Sequence, residues 1–185
     1  MMRRMLIAIV GTALLVGLTV APVGAAKGGP GPGGPPSQPT IQSVEGTYSG
    51  TSSATIFCTD GQLGVSPITG DAGVRASTLG RGSMHYVVNV GGSPGTWWFR
   101  AQDGKASLGG SAVLNIQPGQ DPNPGKAVVT VTVTSGSGKF QGVHGMLTTE
   151  SVISGGPPEC GPGIFYSVPS VTIIQGPIYG QLIYG

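Results

Sequence analysis

The residue of this 185-residue chain best equipped to hold another molecule is a tryptophan on a polar strand face. Asp103-Gly104 separates two runs of alternating apolar and polar residues, the pattern of a hairpin whose two turn residues both take positive φ. A two-residue turn sets the pairing: Arg100 opposite Ser107, Phe99 opposite Leu108, Trp98 opposite Gly109 and Trp97 opposite Gly110. Trp97, Phe99, Ala101, Ala106, Leu108, Ala112, Leu114 and Ile116 then share one apolar face. Trp98, Arg100, Gln102, Lys105 and Ser107 share the other. A slip of one residue would turn every apolar group into water, so the register is well specified. An aromatic ring among hydrogen-bonding side chains suits contact with a sugar or another planar ligand. The plainer use of Trp98 is to cover the bare backbone of Gly109. Trp98 and Arg100, with the strand tyrosines Tyr48 and Tyr86, are the candidate ligand-binding residues.

Acid-base chemistry finds less support. A histidine base needs an orienting carboxylate and a nucleophile or substrate proton within reach. The sequence pairs neither His85 nor His144 with such a group, and both read as surface or loop residues. Of the seven carboxylates, Asp103 falls in a turn, and Asp60, Asp121 and Glu159 lie among Gly or Pro. Glu45, Asp71 and Glu150 remain, and only Glu150 reads as well inside a strand. Glycoside hydrolysis needs two converging carboxylates, and no such pair is legible. The stretch from Asp121 to Gly125 resembles the start of a calcium loop, but Thr132 stands where the bidentate Glu belongs. No GxSxG or HExxH motif occurs. The sequence names no catalytic residue, no metal ligand and no cofactor, and it argues against an enzyme.

The elements that position these residues come from one exported domain. Arg3 and Arg4, the apolar run over residues 6–20 and the small residues 23–26 read as a signal peptide spanning residues 1–26. Residues 27–40 form a Pro/Gly-rich linker with nothing apolar to bury, and residues 41–185 form the domain. After cleavage the chain carries seven basic and seven acidic residues. That balance supplies no basic patch for nucleic acid and no polybasic segment for a membrane surface. Cys58 and Cys160 are the only cysteines, and in an exported chain they read as one disulfide. The localisation implied is extracellular, with cell-envelope association as a variant.

From Glu45 onward the hydropathy period is two. Tyr48, Ala54, Ile56 and Cys58 alternate with Thr and Ser. Met84, Tyr86, Val88 and Val90 form a second set, and Ala127, Val129, Val131 and Val133 a third. Gly109-Gly110 offers a bend of the kind that strands need to close a barrel. Residues 139–153 and 164–175 supply the last strands, and the tail over residues 176–185 reads as a final edge strand. The fold class is all-β: an antiparallel up-and-down barrel of about eight strands, with a β-sandwich as the alternative.

Residues 135–145, SGSGKFQGVHG, resemble the GTGxFxxAxG segment of dirigent proteins and of related barrels of the allene oxide cyclase type. Gly138, Phe140 and Gly145 match, while Ser137 stands where that pattern has Thr. The resemblance implies an up-and-down barrel with a pocket in its lumen; no catalytic residue of those families can be placed here. Without it, the segment is a hairpin loop with glycines at positive φ. Three functional readings follow. The first is a secreted, non-catalytic barrel that binds a small apolar or carbohydrate ligand. The second is a dirigent-like or cyclase-like barrel that orients a reactive small molecule by positioning alone. The third is a structural component of the cell envelope. The oligomeric state is left open.

Overall fold

The computed structural model describes residues 38–117, 125–153 and 159–185. The signal peptide, nearly all of the linker and most of the Pro-rich connection after residue 117 lie outside the described residues. Among the described residues nine strands run β1 (Thr40–Thr59), β2 (Gln62–Val65), β3 (Ile68–Ala76), β4 (Gly80–Val88), β5 (Gly95–Ala101), β6 (Ser107–Gln117), β7 (Gly125–Ser137), β8 (Val143–Ile153) and β9 (Phe165–Tyr184). Every pairing is antiparallel, in the order β2-β1-β3-β4-β5-β6-β7-β8-β9, and β1 also pairs with β9. Eight strands thus close a barrel and β2 is an addition outside it. Closure leaves no free edge around the barrel itself and excludes the sandwich alternative, while β2 keeps one outside it.

The seam is the longest contact of the sheet. β1 and β9 pair along their whole length, from Thr40 opposite Tyr184 to Thr59 opposite Phe165. β1 leaves β3 after Ser53 opposite Thr69, and β9 leaves β8 at Ile178 opposite Thr149. The far halves of β1 and β9 therefore continue as a ribbon with β2. The disulfide Cys58–Cys160, with a Cα–Cα distance of 5.7 Å, ties the tip of that ribbon to the loop before β9. Asp60 reinforces it, its Oδ1 accepting the N–H of Gly163 at 2.9 Å.

Within the barrel, even-numbered residues of β1, β3, β4 and β9 supply the buried side chains, so Val44, Tyr48, Val74, Met84, Tyr86, Ile178 and Leu182 join one buried cluster with Phe99, Leu108 and Leu147. An eight-stranded barrel is just wide enough for side chains to fill it. Phe140, on the 3₁₀ turn Gly138–Phe140, is fully buried and meets Phe99 edge-on at 6.2 Å. Small residues make room for large ones: a Cβ on Gly70 would come within 2.2 Å of the Tyr86 ring.

Four expectations from the sequence need correction. Asp103-Gly104 is not a turn with two positive φ angles: only Gly104 (φ 70°) is left-handed, and Asp103 Oδ1 accepts the Lys105 N–H instead. The bond from Ala101 N–H to Ala106 O closes a longer loop, yet the register of β5 and β6 is the expected one. The turn with two left-handed residues is Asp60-Gly61 (φ 47° and 81°), between β1 and β2. The tail is not an edge strand, because β9 runs through it and pairs with β1 on one side and β8 on the other. Val90 and Ile116 leave the apolar faces assigned to them; Val90 lies past the end of β4, and both are exposed. The bend at Gly109-Gly110 is present as a shift in the β6–β7 register.

Candidate ligand-binding groove

The outward residues of β1, β3, β4 and β5 fall into rows set by the registers. Thr51, Asp71, His85 and Trp98 form one row across the four strands. The next is Ser49, Gly73, Ser83 and Arg100, and the third is Thr47, Arg75 and Arg81. Gln102 extends the third row past β5, its N–H donating to Arg81 O at 2.9 Å. Above this grid lies an open groove of about 1200 Å³, lined by all three of the chain's described arginines, and it adjoins a depression of about 330 Å³ beside Trp98. Gly73 and Ser83 border both, so the two are continuous.

Trp98 is 43% exposed, large for so apolar a ring. It does not merely lie over Gly109, because His85 stacks on it at 5.5 Å between centroids with planes 25° apart. The His85 Nδ1 in turn lies 2.8 Å from Asp71 Oδ1. A carboxylate on one ring nitrogen sets the imidazole's orientation. The chain Asp71–His85–Trp98 thus holds an aromatic platform in place at the surface. This arrangement corrects the sequence reading twice over: His85 has a carboxylate partner, and Asp71 lies well inside a strand.

Tyr48 and Tyr86 are on the other side of the sheet. Arg100 lines the groove and Trp98 the depression that adjoins it, whereas Tyr48 and Tyr86 are buried in the core cluster, Tyr48 also bordering the groove. The structure therefore does not gather the four candidate residues at one place. Tyr48 has a structural task. Glu150 follows the last β8–β9 pair and faces Pro177, which has no N–H to give. The Glu150 carbonyl accepts from the Tyr48 hydroxyl at 2.9 Å instead, and Ser151 Oγ meets the same hydroxyl. Burial pushes the Tyr48 phenol up, against hydrogen bonds from Ser151 and Thr149. Burial, with the neighbouring Tyr48 next, pushes Tyr86 up to about 12 despite a hydrogen bond with Ser52. Next to Tyr86 in the register, the buried indole N–H of Trp97 has no partner among the described residues.

Glu150 itself belongs to the outer surface of β7, β8 and β9. The Tyr179 hydroxyl donates to it at 2.5 Å and Lys126 approaches at 3.4 Å, and these two contacts hold its carboxyl below the usual range. His144 is exposed on β8 opposite Ile183. Among the described residues no three His, Cys, Asp or Glu side chains are grouped to hold a metal ion.

Sequence reasoning missed that Asp71 and Ser83, and further along the groove Arg75 and Arg81, share one outer surface with Trp98. The signal was faint because β3 shows its alternation mostly in small residues, Gly70, Ala72 and Ala76 against Thr69, Asp71 and Arg75. No family model matches the chain, and no curated protein and no solved structure matches it either.

Proposed function

We propose that the protein is a secreted, non-catalytic barrel that binds a carbohydrate along the outer groove, with Trp98 as the platform for a sugar ring. The observation that carries this reading is the exposed indole held by His85 and Asp71 beside a row of hydroxyl groups. A fixed aromatic face loses little conformational entropy on binding and offers apolar contact, while Thr51, Ser49 and Ser83 supply hydrogen bonds. The disulfide and the signal-like N-terminus support export. The filled lumen weighs against an apolar ligand inside the barrel. One observation favours the lumen as a second reading, in the manner of the dirigent-like barrels: the unpartnered Trp97 N–H beside Tyr86.

Tryptophan fluorescence of the oxidised protein, titrated with neutral and acidic oligosaccharides and small apolar compounds, tests both readings. A saturable response should weaken at least about tenfold in Trp98→Ala, or ~1.4 kcal/mol. A response kept by Trp98→Ala but lost in Trp97→Phe would move the site into the lumen and overturn the groove.

A further inference from the structure

We infer that the groove carries an anion subsite, formed by Arg75, Arg81 and Arg100, and that its ligand is an acidic oligosaccharide bearing carboxylate or sulfate groups. This rests on the carbohydrate reading and names the class of sugar. Arg75 and Arg81 stand directly opposite each other across β3 and β4. Like charges in that position repel, their Cβ atoms being only about 5 Å apart. Arg100 is two residues beyond Trp98 on β5 and lines the same groove.

None of the three arginines has a carboxylate within ion-pair distance among the described residues. The groove's own carboxylate, Asp103, is turned to the Lys105 N–H, and Asp71 beside Trp98 is held by His85. A chain with only 9% charged residues thus brings three guanidinium groups to one groove against a single lining carboxylate, Asp103, which is in ion-pair contact with none of them. Guanidinium is the side chain suited to paired hydrogen bonds with carboxylate or sulfate oxygens.

Spacing gives the ligand's length. Arg100 lies one row and Arg81 two rows from Trp98, about 7 and 14 Å at the rise of an antiparallel strand. A sugar ring on Trp98 reaches the arginines only as part of an oligomer. Gly73 leaves the floor between them low, since a Cβ there would meet nothing nearer than Ser49 O at 3.9 Å. A single-stranded nucleic acid also combines rings with phosphates, but the mature chain's balanced charge and its export signal favour the sugar.

The test is calorimetric titration of the oxidised protein with hexagalacturonate, its methyl ester, sulfated and unsulfated isomaltohexaose, and octathymidylate. The acidic sugar of one or both pairs should bind at least about tenfold more tightly than its neutral partner, and lose that advantage in high salt. Which pair shows it tells carboxylate from sulfate. Arg81→Gln should remove the advantage, lowering the affinity for the acidic sugar by a much larger factor than that for its neutral partner. The same variant should melt no lower than the wild type when free of ligand, because it relieves the repulsion with Arg75. Trp98→Ala should weaken acidic and neutral sugars alike. Equal binding of acid and neutral partners overturns the anion subsite and leaves the carbohydrate reading standing. Absence of binding by every sugar overturns both. Octathymidylate binding more tightly than either acidic sugar overturns the ligand class.

Discussion

Three residues at Trp98 show how little chemistry a side chain owns outside its surroundings. Asp71, His85 and Trp98 come from three strands, and only the registers of β3, β4 and β5 make them one unit. Trp98 and its polar face were legible because the hairpin after it fixes parity within a dozen residues. The His85–Asp71 pair was not, since it depends on a strand whose small residues blur the alternation. Tyr86 gives a prediction at the same scale. Its phenol is 6% exposed and its folded pKa, about 12, lies above the unfolded value of 10.0. A raised pKa contributes stability that is present below pH 10 and lost as pH climbs toward 12. Two pKa units correspond to about 2–3 kcal/mol. Alkaline denaturation followed by circular dichroism should show wild type losing that much more than Tyr86→Phe over this window. Equal losses would mean that the Tyr86 hydroxyl titrates freely.

At the scale of the element, β3 is the strand on which the groove depends. Its inward residues Ala72, Val74 and Ala76 anchor it to the core, and its outward residues Asp71, Gly73 and Arg75 form the groove floor. Gly73 has an ordinary strand φ and open space where a side chain would stand. Gly73→Val should leave the melting temperature unchanged or raise it, because a β-branched residue suits a strand. It should also raise the floor and weaken sugar binding by at least about tenfold. A valine that left titrations unaltered would place the ligand elsewhere. The turns illustrate why elements were more legible than their joints. Asp-Gly occurs twice, at residues 60–61 and 103–104, and only the first takes two left-handed angles. The dipeptide alone does not carry the difference; at the second site a side-chain bond from Lys105 N–H to Asp103 replaces the tighter turn.

At the scale of the whole molecule, the barrel was legible from period-two alternation and the bend at Gly109-Gly110, whereas its seam was not. Nothing local announces that residue 40 lies opposite residue 184. The Cys58–Cys160 bridge spans 102 residues, and a loop of that size corresponds to about 4–5 kcal/mol in the chain-entropy account. Cys58→Ser with Cys160→Ser should lower denaturant stability by an amount of that order, with the ribbon of β1, β2 and β9 losing hydrogen-exchange protection first. Uniform loss of protection would mean that ribbon and barrel unfold as one unit. The seam also has a consequence for biogenesis. The first strand to emerge from the ribosome waits for the last, so the barrel has no closed form until β9 is complete, and contacts of such sequence separation form slowly. A chain passing through a narrow export channel must stay unfolded until it is across. Were this chain exported in that way, its connectivity would keep it open during passage, because β9 completes the barrel and follows every other described strand in the sequence.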